Sequence, residues 1–184
     1  VRDDAAWLLD QQEAVLARIG ALSSRGFRAL RIRIHGDYHL GQLLYTGPDF
    51  VIIDFDGEPA RSLGERRIKR SPLRDVAGML RSFHYATHSA LSEHISKFAR
   101  PDGIAGLAPW ARLWQAWVSA AFLGGYLSTA GIERLVPQQE DGLQTLLDAF
   151  LLDKALYEIS YELNNRPDWV YIPLHGIIQL VRGE

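Results

Sequence analysis

The stretch "HGDYHLGQLLYTGPDFVIIDFDGEP", residues 35–59, decides how the rest of the chain is read. Two short apolar runs, 42–45 and 50–55, flank Thr46-Gly47-Pro48-Asp49, a strong turn sequence, so the segment predicts a β-hairpin. Carboxylates border both runs: Asp37 precedes Gln42 by five residues, and Asp54 follows Asp37 by 17. An acid at the end of an apolar strand is awkward to solvate, and the placement asks for a chemical reason.

Phosphoryl transfer supplies one. It needs a carboxylate that accepts or orients the attacking hydroxyl, and hard oxygen ligands for a Mg²⁺ ion that neutralises phosphate charge. Protein kinases use H-R-D-x-x-x-x-N, then the aspartate of D-F-G after a short hairpin. Here His35-Gly36-Asp37 stands at the first motif, Gln42 at the asparagine position, and Asp54-Phe55 at the second. On that reading Asp37 is the base or orienting group, Asp54 the main Mg²⁺ ligand, and Gln42 an amide-oxygen ligand beside ATP. His39 either orients Asp37 or hydrogen-bonds backbone. Asp56 and Glu58 either assist the metal or belong to a solvated acidic loop. Gly36 and Gly41 allow unusual dihedrals or close approach.

The bulk properties agree with an ordinary globular chain of 184 residues, 47% apolar and 23% charged. A formal charge of −2 provides no field to draw the chain to nucleic acid or an anionic membrane. The absence of cysteine excludes disulfides and thiolate metal sites and fits a reducing cytosol. No apolar run reaches the roughly 20 residues that a membrane helix needs, and "VRDDAAWLLDQQ" lacks the pattern of a signal peptide. The chain starts at Val1 and its one methionine is Met79, which fits a piece of a longer protein.

Outward from the hairpin, the pattern is mostly helical. Leu8, Val15, Ile19 and Leu22 predict a helix over 3–22, and alternation in "LRIRIH" predicts a strand over 30–35. Residues 56–70 read as a polar, basic loop. Ser71 and Pro72 predict a helix start, with Leu73, Val76, Ala77, Leu80 and Phe83 on its apolar face. Residues 110–127 are apolar almost all round, which predicts a central helix with Trp110, Trp114 and Trp117 in the core rather than forming a sugar platform. Further helices are expected over 142–163 and 173–181. The expected class is α+β, mainly α-helical, with one small hairpin.

Three separated stretches, "HGDYHLGQ", "IIDFDGEPARSLGERRIKRSPLRDVAGMLRSFHYA" and "DKALYEISYELNNRPDWVYIPLHGI", resemble maltokinase, including the form fused to trehalose synthase. The resemblance implies that residues 1–184 are the C-terminal lobe of an aminoglycoside-phosphotransferase-like kinase. It also implies ATP- and Mg²⁺-dependent phosphorylation of maltose to maltose 1-phosphate, in cytosolic trehalose-to-glycogen metabolism. Where that family commonly has D-F-E-G-E-P, this chain carries Asp56 in place of the glutamate. No G-x-G-x-x-G pattern and no lysine precede residue 30, so the nucleotide-clamping lobe is expected outside this chain, and the 184 residues alone are expected to turn over little. Asp75, by likeness to related kinases, either holds the backbone of the 35–42 loop or is simply an acid near a helix N-terminus.

The residue types in "YEISYELNNRPDW", 157–169, suit a sugar: aromatic faces for pyranose CH groups, amide and guanidinium forks for hydroxyls. Tyr161, Asn165 and Arg166 are the candidate sugar contacts; the bland reading is a helix end with tyrosines on the core. Glu158 and Glu162, four residues apart, call for a cation, with Lys154 or Arg166 at hand. The basic run Arg61, Arg66, Arg67, Lys69 and Arg70 reads first as a solvated face and second as a guide for ATP. Other readings are an aminoglycoside or choline kinase, a non-catalytic kinase-like module, or a phosphoesterase holding two metals on His35, Asp37, His39, Asp54 and Asp56.

Overall fold

The computed structural model describes residues 1–24, 26–98 and 101–183, and within them the side chains other than those of 21–24, 93–98, 101–105 and 140. Among the described residues the elements run α1 (Arg2–Asp10), α2 (Gln12–Ser24), β1 (Leu43–Tyr45), β2 (Phe50–Ile52), α3 (Leu63–Arg66), α4 (Leu73–Phe98), α5 (Pro101–Leu127), α6 (Glu140–Asn165) and α7 (Tyr171–Arg182). The fold is mainly helical around one antiparallel hairpin, as the hydrophobic periods predict. No helix among the described residues is long and apolar enough to cross a membrane.

The core forms where α4 lies against α5 and α6. Pro72 and Leu73 enter the fold together, and the Leu73 amide donates to Ser71 Oγ at 3.3 Å, which starts α4 as expected. Leu73, Val76, Ala77, Met79, Leu80 and Phe83 are all buried against Val136, Leu146 and Leu147. A second cluster gathers Val15, Leu152, Ala155 and Ile177, with Leu8 and Ile19 packed on it. The expected helix over 3–22 is two helices broken at Gln11, whose amide turns back to the Leu8 carbonyl at 3.0 Å. Its apolar stripe survives the break, apart from Leu22, whose side chain lies outside the described residues.

Two expectations are corrected. Residues 30–35 do not form a strand: the one ladder contact is an antiparallel bridge between Ile32 and Arg70, closed by two 2.9 Å hydrogen bonds. The alternation was real, since Ile32 and Ile34 turn inward and Arg31 and Arg33 outward, but no neighbouring strand extends the pairing. The tryptophans of α5 are not core residues. Val118, Phe122, Leu123 and Tyr126 form the inner face, with Phe122 edge-on to Phe83 at 5.7 Å between centroids. Trp110, Trp114 and Trp117 point away from it and are 68%, 49% and 75% exposed. An apolar sequence on all sides of a helix gives no direction, so it could not say which face is covered.

The hairpin pairs Leu43 with Ile52, Leu44 with Val51 and Tyr45 with Phe50. Its turn closes as predicted, with the Thr46 amide and hydroxyl both donating to the Asp49 carbonyl at 2.9 Å and Gly47 at φ 98°. The strands are shorter than expected and mostly exposed, so apolar burial of the hairpin does not anchor the loop before it. Helix α4 does that instead. Asp75 Oδ2 accepts the His35 amide at 2.7 Å and Oδ1 the Gly36 amide at 2.9 Å. One turn on, Gly78 lies directly under the Tyr38 carbonyl, and Ser82 Oγ accepts the Leu40 amide at 3.0 Å. Positions 75, 78 and 82 share one helical face, which carries the loop like a rail.

A Cβ at position 78 would sit 2.6 Å from the Tyr38 carbonyl oxygen, backbone against backbone. Gly78→Ala is therefore expected to destabilise the protein by about 1–3 kcal/mol, despite alanine's higher helix propensity, as read by urea unfolding. An unchanged or raised midpoint would contradict the close approach.

His84 and His88, one turn apart on α4, meet Nε2 to Nε2 at 3.2 Å, with His175 of α7 beside His88. Burial first, then the Arg81 charge and the neighbouring imidazoles, push His84 down to about 2 from its ordinary 6.5. Burial, His175 and Arg81 take His88 down to about 4. Both folded-state values lie below the unfolded one, so the stability from their neutral forms is complete above pH 6.5 and is lost as pH falls below it. The melting temperature is expected to drop between pH 6.5 and pH 4, where both histidines bind protons mainly in the unfolded chain. His88→Gln should reduce their joint slope by about half; a slope unchanged by that substitution would disprove the assignment.

Candidate active site

The loop 35–42 folds around His35, which is buried. Its Nε2 lies 2.8 Å from the Ile53 carbonyl, and its Nδ1 faces the Asp37 amide at 3.4 Å. With Nδ1 accepting, Nε2 carries the proton and donates to Ile53. The ring also meets Tyr38 at 5.5 Å and Phe55 at 5.0 Å between centroids. One imidazole thus ties the 35–42 loop to the segment after β2.

Gln42 and Asp54 come together. The buried Gln42 side chain donates Nε2–H to Asp54 Oδ2 at 3.1 Å, while the Ile53 amide donates to the Gln42 carbonyl at 3.0 Å. Asp54 adopts φ 58°, the one left-handed non-glycine backbone among the described residues. Such a conformation costs of order 1 kcal/mol or more and marks a position held by its surroundings. The contact sets the Gln42 amide group beside the exposed Asp54 carboxylate, two side chains that each carry hard oxygen. They fit Mg²⁺, which takes one or two protein oxygens and completes its shell with water and phosphate.

Asp37 lies in a different set of contacts. Its Oδ1 is 3.7 Å from Lys154 Nζ and its Oδ2 is 3.8 Å from His39 Nε2. His39 makes a contact on each side: its Nδ1 accepts the Gly41 amide at 3.0 Å while Nε2 points to Asp37. A Cβ at Gly41 would strike that ring at 2.7 Å, which explains the glycine. Lys154 also reaches Glu58 Oε2 at 3.6 Å and lies over the Tyr157 ring at 5.1 Å. Burial and hydrogen bonding to Glu58 push the Tyr157 hydroxyl up to about 12, so it stays a neutral donor. Glu58 therefore faces Lys154 and Tyr157. Asp56 is exposed.

Asp75 has the bracing geometry. Burial raises its pKa above the ordinary value, while the two backbone N–H groups oppose that shift. In the basic run, Arg66 is a clamp: it donates to the carbonyls of Arg61 at 2.8 Å and Pro59 at 3.0 Å. Its short helix α3 begins with a capping box of Ser62 and Glu65, an S-x-x-E signal legible in the sequence but missed.

On α6, the two acids find separate cations. Glu158 is paired with the buried Arg81 at 2.7 Å, and Glu162 holds Arg166 through two bonds of 3.0 and 2.7 Å. Of the two cations offered for this pair, Arg166 fills the role at Glu162, and Lys154 faces Asp37 and Glu58. The Arg166 guanidinium lies 4.6 Å from the Trp169 ring centroid and 5.7 Å from that of Tyr161. The Asn165 amide nitrogen donates to the Tyr161 carbonyl at 2.8 Å. Tyr161, Asn165 and Arg166 therefore do come together, on an exposed surface at the end of α6. Lys154 and Tyr157, three residues apart on the same helix, were missed as neighbours of Asp37, because only the tertiary approach of α6 to the loop reveals them.

No family model matches the chain. A glucosamine kinase of Streptacidiphilus jiangxiensis is 30% identical over 144 residues, 77% of this chain and 30% of that protein. One from Mycolicibacterium smegmatis is 33% identical over 165 residues, 88% of this chain and 36% of that protein. The chain thus spans about a third of the length of these curated relatives. Among solved structures, a glucosamine kinase superposes with a TM-score of 0.66 at 25% identity, covering 100% of this chain and 48% of the other. A glucosamine kinase in complex with glucosamine, ADP and inorganic phosphate gives 0.64 at 24% identity over 97% of this chain and 45% of that one. The chain is a homologue of glucosamine kinase and matches the C-terminal half of its solved fold.

Proposed function

We propose that this chain carries the catalytic loop and metal-binding strand end of an ATP- and Mg²⁺-dependent sugar kinase. The observation that carries the proposal is the Gln42–Asp54 contact at 3.1 Å, two hard-oxygen side chains adjacent at the hairpin edge, with Asp37 in the same braced loop. Mg²⁺ held by Asp54 and Gln42 would neutralise phosphate charge. Asp37 accepts or orients the proton of the attacking sugar hydroxyl, and His39 and Lys154 fix where its two oxygens point. Tyr161, Asn165 and Arg166 form the candidate sugar surface, with buried Glu162 setting the plane of the guanidinium.

Maltose, phosphorylated at its anomeric hydroxyl, is the acceptor that the three sequence stretches imply. Glucosamine is a second reading, favoured by the names of the similar proteins. The two-metal phosphoesterase reading is disfavoured, because His35 commits both ring nitrogens to the backbone. The nucleotide clamp is assigned to a lobe outside these residues, so the 184 residues alone are expected to turn over little.

The test uses the full-length protein with Mg-ATP and either maltose or glucosamine, with the product identified by NMR. One of the two sugars should be phosphorylated. Asp37→Asn should lower kcat roughly 100- to 10,000-fold with little change in KM for the sugar. Wild-type turnover by Asp37→Asn, or no transfer to either sugar, would overturn the proposal.

A further inference from the structure

The outer face of α5 is unexplained by anything above. Trp110, Leu113, Trp114 and Trp117 are 68%, 53%, 49% and 75% exposed, and Ala120, Ala121 and Gly124 continue the same exposed stripe. Their spacing of three, four and seven keeps all seven positions on one side of the helix. Three tryptophans exposed to this degree amount to roughly 500 Å² of aromatic surface, as much as the largest patch on a typical monomer. Packing within the chain does not account for the small half either, since a Cβ at Gly124 would meet nothing within 4 Å. Arg112 is the one charged residue between Leu107 and Ile132, so little in the sequence opposes burial here.

The order of sizes along the stripe identifies the occupant. Reversing it about Trp117 sets Trp110 opposite Gly124, Leu113 opposite Ala121, and Trp114 opposite Ala120. Trp110, Leu113 and Trp114 then each face a small residue, while Trp117 meets its own copy on the axis. A two-fold axis requires that self-complementarity, because each patch must accept its own copy in the opposite direction. An unrelated segment covering the stripe would need no such symmetry. We propose that α5 is an isologous dimer interface, in which a second copy of this chain packs antiparallel with the axis at Trp117. Trp110 and Trp114 of each copy lie over the alanine and glycine half of the other, and the two Trp117 rings meet at the axis. The pair would bury roughly 1,000–1,200 Å², at the lower bound for a stable specific interface.

The full-length protein tests this by sedimentation velocity across the micromolar range. Wild type should dimerise, and Gly124→Trp, which sets tryptophan against Trp110 of the second copy, should weaken the dimer at least roughly 30-fold. Adding Trp110→Ala to Gly124→Trp exchanges large for small on both sides of the axis and should restore dimerisation. Unchanged thermal unfolding of the single variant separates lost association from lost folding. A monomeric wild type at every concentration, or a double variant no better than Gly124→Trp, would overturn the proposal.

Discussion

Two backbone amides reaching one carboxylate set the geometry of this site. Asp75 takes the His35 and Gly36 N–H groups at 2.7 and 2.9 Å, and those amides belong to a loop with no ladder partner of its own. Backbone amides need acceptors; the loop meets those of Asp37 and Gly41 with its own histidines and leaves those of His35 and Gly36 to α4. A helix that offers a carboxylate, then a glycine, then a hydroxyl along one face gives the loop a fixed surface. The 35–42 segment can then be irregular where chemistry needs it and still hold a single conformation.

From that brace the order passes outward through His35. Its ring spans from the Asp37 amide to the Ile53 carbonyl, so the loop that bears Asp37 and the strand end that bears Asp54 are fixed relative to each other. Gln42 repeats the connection a few residues away with both its backbone and its amide. The hairpin therefore spaces the two acids, while the polar links on either side of it set their orientation. This explains how strands of three residues with exposed apolar faces support the arrangement of the candidate site.

Much of this was legible in the residues. The turn at 46–49, the start of α4 at Ser71-Pro72 and the apolar face through Phe83 are local signals, and local signals survive folding. The Gln42–Asp54 contact was legible because a hairpin converts sequence distance into proximity, whereas Asp37 makes its own contacts with His39 and Lys154. Lys154 and Tyr157 were not legible, because their approach to Asp37 depends on how α6, which carries them 117 and 120 residues further along the chain, packs against the loop. The failed strand at 30–35 and the misplaced tryptophans share one cause. Periodicity reports what a segment could bury, and the partner it buries against comes from elsewhere in the fold.

The left-handed backbone at Asp54 has a consequence for how this position can vary. At φ 58° the main chain admits glycine readily, asparagine and aspartate with tolerance, and branched side chains hardly at all. Only aspartate among the tolerated three brings an anionic oxygen. Steric demands and the coordination proposed for this carboxylate, which usually pull an amino-acid choice in different directions, would here select the same side chain. Glutamate would keep the charge and forfeit the conformational match, while asparagine would keep the match and forfeit the charge.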